Sequence, residues 1–489
     1  MRPIAYSFRA RSKPVALFAA AVLLVIAAGR AEAMPSTRPK IGGTLRVQMS
    51  ERVVSLDPRQ WPSTSMQAAA AERMDPLVFD RLIRFDDRGA PQPALAISWQ
   101  HDAESRRWQF LMRKDVKFSD GASLTPEVAA LALQQLLGNK FDVNATSDSV
   151  VILADHSVPD FPATLGAGRY FIFHIASDGS LAGTGPFRAG EWPAGGAPAK
   201  LVLSANESCW AGRPFVDKIE LTIGVSSEQQ ASAIAFGQAD VVELPASQVR
   251  RAGQRGVRTV SSDPVDLYAL QFDATRSAVQ EVRTRQAISL SIDRVSIADV
   301  VLQRQAAVAW SLLPNWISGY AHLFSSATDL ARAKELLIAT GGEVSHPAPL
   351  VLIYDSGDEE ARAVADRVAV NLKEAGIAVQ VSGQPATGKI APADMRLLRH
   401  RITAPDPGIA LADLLISLHE NGADMETLEQ TYAAERAPID AFRVIPLVHV
   451  SESYGLSPQV RDWMAPRWGG WRLEDVWLAP AQPATGEPQ

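Results

Sequence analysis

Residues Phe79–Leu137 read FDRLIRFDDRGAPQPALAISWQHDAESRRWQFLMRKDVKFSDGASLTPEVAALALQQLL. Within this stretch Trp108, Phe110 and Met112 alternate with Gln109, Leu111 and Arg113, the period of a strand buried on one face. Asp120-Gly121 is turn chemistry, because glycine enters positive φ without a steric cost. Thr125 is placed to cap a helix, with Pro126 at its first position and Glu127 against the positive end of its dipole. Gly138-Asn139 ends that helix. Trp99, Trp108 and Phe118 read as core and turn packing rather than as a ligand site.

The chain of 489 residues is long enough for two to four domains or one multilobed unit, and 47% hydrophobic with 21% charged residues supplies a sizeable core. Arg2, Arg9, Arg11 and Lys13 precede an apolar run from Val15 to Ala28, and Ala31-Glu32-Ala33 follows as an A-x-A cleavage site. Residues 1–33 thus predict a secretory signal peptide, too short in its apolar run for a membrane span. These residues hold five basic groups and one acid, so the net charge of −6 becomes −10 on cleavage. That balance argues against nucleic acid and anionic lipid surfaces as partners. Cys209 is the single cysteine, which excludes an internal disulfide. The Pro- and Ala-rich tail 481–489 predicts disorder.

Farther along, Ser227 and Gln230 predict a capping box, Gly237 a helix end and Ala239–Val242 a strand. Leu350–Val381 predicts a strand to Tyr354, a turn through Asp355–Asp358, a helix from Glu359 to Glu374, a stop at Gly376 and a parallel strand from Ile377. Ligands in such sheets sit beyond the carboxyl ends of strands, which makes Asp355 a site candidate.

Patterns for catalysis fail on inspection. Gly383–Lys389 nearly spells a phosphate loop, but Ile390 stands where Ser or Thr would hold magnesium, and Pro392 breaks the helix. No G-x-S-x-G, H-E-x-x-H or metal-spaced histidine set occurs. Pairs such as Asp86-Asp87 and Glu359-Glu360 read as solvated faces. No cofactor and no resident metal are expected.

Ordered motifs run from Ile41 to Leu478. They include Ile41–Val47 (IGGTLRV), Ser55–Pro58 (SLDP), Phe79–Leu82, Pro93–Trp99, Trp108–Gly121 and Leu124–Val128. Gly183–Phe187 (GTGPF), Asn206–Gly212 (NESCWAG), Arg283–Arg294 (RTRQAISLSIDR), Asp329–Gly342, Arg443–Leu447 and Gly469–Trp477 follow. In this order they resemble the bacterial extracellular solute-binding proteins of family 5, the peptide- and nickel-type receptors of ABC importers. The resemblance implies an α/β, bilobal periplasmic-binding-protein fold, type II-like, with a third domain inserted in the first lobe. Its boundaries would be 41–56, 182–265 and 465–480 for lobe I, 57–181 for the insert and 266–464 for lobe II. Hinge strands would lie near Asp263–Asp273 and Asp462–Trp471.

The same resemblance implies a monomeric periplasmic receptor that takes a small-molecule or peptide-like ligand in the cleft and serves an ABC permease with its ATPase subunits. A periplasmic solute sensor and a hydrolase on the same scaffold are the alternatives. The cleft candidates are Ser50, Glu51, Tyr268, Trp310, Asp355, Arg399, Arg401, Thr403 and Asp406. Arg399–Pro407 (RHRITAPDP) resembles the family's cleft segment, yet Thr403 replaces the aspartate that commonly holds a ligand ammonium. Ordinary dipeptides are therefore not expected to bind, and Arg399 and Arg401 point to a ligand with negative charge or many oxygens.

Overall fold

The computed structural model describes residues 38–480 except 54, 63–64, 87, 193–197, 325–326, 340–347, 386–390, 403, 421–424, 426, 466 and 468–469. The expected signal peptide, the tail, most of the phosphate-loop-like turn and Thr403 lie outside the described residues. The chain divides at Lys40, and the unit from Ile41 is described here.

Strand β1 (Thr44–Met49) buries Leu45, Val47 and Met49 on one face. Helix α1 (Ser65–Met74) follows, then β2 (Ala96–His101), β3 (Arg107–Met112), α2 (Pro126–Leu137), β4 (Phe141–Ala145) and β5 (Ser149–Ala154). Next come β6 (Phe187–Ala189), β7 (Ala199–Ala205), β8 (Lys218–Ile223), α3 (Ser227–Ala235), β9 (Val241–Leu244), α4 (Ala246–Gln254) and the long β10 (Arg258–Phe272). The last third contains β11 (Leu350–Asp355), α5 (Glu359–Glu374), β12 (Val379–Gln384), β13 (Met395–Arg401), α6 (Pro407–Ser417), α7 (Leu428–Asp440) and β14 (Val444–Leu456).

One large sheet runs β6-β7-β8-β1-β9-β14-β10-β13-β11-β12, with Ala306–Val308 added to β14. Parallel pairs β1–β8 and β1–β9 make one half, and parallel β11–β12 and β11–β13 make the other. The long antiparallel pair β10–β14 belongs to both halves: Arg258–Ser261 and Ser453–Leu456 lie in register beside β9, and Asp266–Phe272 beside β13. Between these stretches the β10–β14 register shifts at Ser261/Pro264 and Pro264/Asp266. Pro264 has no N–H to give to the ladder, so the sheet loosens where its halves meet. A separate four-stranded antiparallel sheet, β2-β3-β5-β4, packs Trp108, Phe110 and Ile152 on α2 in its own apolar core.

Several local expectations hold to the residue. Thr125 accepts the Val128 N–H, and Gly138 ends α2 at φ 72. Trp108 and Phe118 are buried. Helix α5 spans Glu359–Glu374 with a parallel strand on either side. The capping box, however, is Ser226 with Gln229, one residue earlier than expected. Ser226 has the extended backbone of a cap, and Gln230 turns inward to the Val225 carbonyl and the Glu243 N–H. The second crossing strand is β14, ahead of Asp462–Trp471, because Tyr454, Leu456, Val460 and Trp463 already pack in the core beneath β1 and β8.

Candidate functional site

The carboxyl ends of β1 and β9 in one half, and of β11 in the other, face the loosened stretch of β10 and β14. At that junction strand alternation puts Asp266 and Tyr268 on one face of β10, opposite Arg401 and Arg399 of β13. Asp266 is fully buried and accepts from Arg399 Nε at 2.9 Å and Nη2 at 2.6 Å, and from Arg401. Arg401 continues to Glu452 of β14, which also accepts from Arg73 of α1 and from Tyr454 Oη at 2.9 Å. Arg73 Nη1 donates to Glu243 Oε1 at 2.6 Å, and Glu243 Oε2 accepts the Ser50 N–H at 2.7 Å. A chain of alternating charges therefore joins β13 to the end of β1.

Arg399 has a second set of acceptors on α5. Its Nη1 lies 3.2 Å from Glu360 Oε2 and 3.4 Å from Asp358 Oδ2. Tyr268 Oη donates to Asp358 Oδ2 at 2.6 Å, and the Arg399 guanidinium stands 5.4 Å from the Tyr268 ring centre. Asp358 also caps α5 by accepting from Glu360 N and Ala361 N.

Three guanidiniums thus meet five carboxylates, and Glu51 and Asp355 add to the negative side. Burial alone would raise the Asp266 pKa, but Arg401 and Arg399 outweigh it and hold the group below the ordinary aspartate value. Glu452 is held low in the same way, by Arg401 and Arg73 against burial. Glu51 moves the other way. Burial raises it first, and repulsion from Glu243 and Asp355 adds to the shift.

The sequence model of the bacterial extracellular solute-binding proteins, family 5 (middle region), matches residues 90–428. The chain belongs to this family. It is 25% identical over 353 residues to the nickel-binding periplasmic protein of Escherichia coli, covering 63% of this chain and 66% of that one. It is 23% identical over 415 residues to the probable D,D-dipeptide-binding periplasmic protein of the same organism, covering 78% and 75%. Among solved structures, NikA of Brucella suis in complex with Fe(III)-EDTA superposes with a TM-score of 0.77 at 19% identity, over 89% of this chain and all of that one. The fold is the bilobal α/β fold of family 5.

Of the residues expected in the family 5 cleft, Ser50, Glu51, Tyr268, Asp355, Arg399 and Arg401 gather at this junction. Trp310 does not join them. It stacks 4.4 Å from the guanidinium of buried Arg294, which donates to the Pro446 and Ser289 carbonyls. Asp406 caps α6 through the Ile409 N–H at 2.9 Å. Acidic side chains already hold both Arg399 and Arg401, which were expected to suit an anionic ligand. Glu360 is no solvated face either, since it meets Arg399 inside the junction.

Arg73, Glu243, Asp266 and Glu452 went unremarked in the sequence, and Glu360 was read as part of a solvated face. The signal that could have found Asp266 is its place two residues before Tyr268, an acid on the same strand face. Among the described residues, no group of three or more His, Cys, Asp or Glu is arranged to hold a metal ion. A cavity of about 280 Å³ opens just past Glu51, lined by Arg52, Ser55, Gln60, Trp61 and Gln67 among others.

Proposed function

We propose that this chain is an exported receptor that closes its two lobes on one small polar solute and delivers it to an ABC permease with ATPase subunits. The observation that carries the reading is the convergence of two sets of parallel strand ends on one polar network, across the long pair β10–β14. Ligand contacts to both lobes would stabilise the closed state over the open one, a population shift about the hinge. We place the hinge at Ser261–Asp266 of β10 and Ser451–Ser453 of β14. Lobe II would then run from 266 to 450, with 57–181 as a domain inserted in lobe I. Export by cleavage after Ala33, action as a monomer, and binding without catalysis complete the reading. No described helix is long and apolar enough to cross a membrane, in keeping with it.

The solute class follows from charge. A zwitterionic dipeptide needs a free cation for its carboxylate, and a desolvated carboxylate without one is costly. Arg399 and Arg401 are committed to acids, among them Asp358, and the turn Asp355–Asp358 adds Asp355. We therefore assign the cleft Ser50, Glu51 and Asp355 as contacts for a neutral or cationic solute, such as a blocked or basic peptide or a positively charged metal chelate, with the buried Tyr268 supporting them from behind. Isothermal calorimetry of the mature chain tests this with a dipeptide mixture, the same peptides amidated, and nickel–histidine. Binding confined to the amidated or chelate arms supports the assignment. Micromolar binding of free dipeptides with no preference for the amidated forms overturns it.

A further inference from the structure

The three acids that open α5 each reach a different element. Asp358 caps α5 itself and accepts from Tyr268. Glu359 Oε2 accepts from Ser227 Oγ, at the start of α3, at 3.0 Å. Glu360 Oε1 accepts from the N–H of Ala246, the first residue of α4, at 2.6 Å, and its other oxygen faces Arg399 Nη1 at 3.2 Å. Helix α3 packs on β9, and α4 joins that cluster through Val249 and Ala252, on the half built on β1, whereas α5 and Arg399 of β13 belong to the half built on β11. Ala246 also packs in the apolar cluster with Tyr268 and Ala361, so its N–H has little access to water.

An unbonded helix N–H with a guanidinium opposite is an anion seat. Here the chain fills it with its own carboxylate. We propose that Glu360, assisted by Glu359, is an internal anion that holds the two lobes nearer the closed arrangement and bars solutes bearing an anionic group at that position. The inference rests on the two-lobed receptor reading but not on the identity of the solute. A carboxylate or phosphate on a ligand would have to expel Glu360, leaving a buried acid without its two donors. A neutral or cationic solute leaves the clamp in place.

The test uses the mature chain, solute-free, with spin labels at Phe236 and Val370, which are 77% and 48% exposed on α3's end and on α5. In the wild type the label distance is expected to be short and single. In Glu360→Ala it is expected to become longer and broader. Acetate, compared with chloride at equal ionic strength, is expected to return Glu360→Ala to the short distance, because acetate fits the vacated seat. Acetate should leave the wild type unchanged. Glu360→Gln keeps the shape of the side chain and one acceptor for the Ala246 N–H, and should open partially; it carries the test where the alanine variant does not fold. Equal distances in the wild type and the folded variant overturn the clamp. An open Glu360→Ala that acetate does not close overturns the anion seat. These readouts need no solute, so a chain that clamps as described yet takes no solute would count against the receptor reading alone.

Discussion

Asp266 shows how strongly one carboxylate organises this molecule. It has no exposed surface and answers two arginines, so its removal strands two buried positive charges. Truncating one partner of a buried pair typically costs about 3–5 kcal/mol. Asp266→Ala should therefore lower the free energy of unfolding in urea by about that amount, while Arg213→Ala, whose partners Glu207 and Asp217 are exposed, should change it by less than about 1 kcal/mol. Glu435 offers a second test at the same scale. It is fully buried on α7, accepts the Leu312 and Leu313 N–H groups at 2.5 and 2.8 Å, and is pushed by burial from 4.5 up to about 7. The folded state then holds a proton that the unfolded state has released. Stability falls as pH rises from about 4.5 to about 7, by about 3 kcal/mol in all, and levels off above. Glu435→Gln lacks that slope. Its stability relative to wild type should climb across this window in urea titrations, and a difference independent of pH would contradict the assignment.

At the scale of elements, the strand–helix–strand unit β11–α5–β12 was the most legible part of the chain. Its apolar strand, the acids at the helix start and Gly376 just past its end are local signals, and the observed helix has the expected bounds. What those acids face was not legible. A sequence of Asp358-Glu359-Glu360 looks the same whether the helix starts in water or against the N-terminus of another helix. Likewise Arg73 and Glu452 stand 379 positions apart, and no periodicity links them. Arg399 and Arg401 were expected at the cleft, and their pairing depends on Asp266 across the β10–β13 register and on α5 from another layer. The capping-box offset has a simpler origin, since two adjacent serines both satisfy the local pattern and only backbone geometry selects Ser226. An element-level prediction follows. Asp358→Ala removes the cap of α5 and the acceptor of Tyr268, and should destabilise by about 1–2 kcal/mol in thermal or urea unfolding. Asp358→Asn, which keeps a cap oxygen, should recover most of the loss.

For the whole molecule, the proposed receptor cycle requires the two halves of the sheet to move about β10 and β14 while each keeps its own core. Saturating solute should compact the wild type in small-angle scattering, and should compact Glu360→Ala by more, because the variant starts further open. Family 5 membership, the bilobal fold and the converging strand ends support the proposal that a solute is held at the junction beside Glu51. Native mass spectrometry of the chain released from the envelope of its own host, wild type beside Glu51→Arg, tests it most directly. The account predicts one additional small-molecule mass per wild-type chain, absent from Glu51→Arg. A bound mass that Glu51→Arg retains in full, or a wild-type chain that carries none, would contradict it.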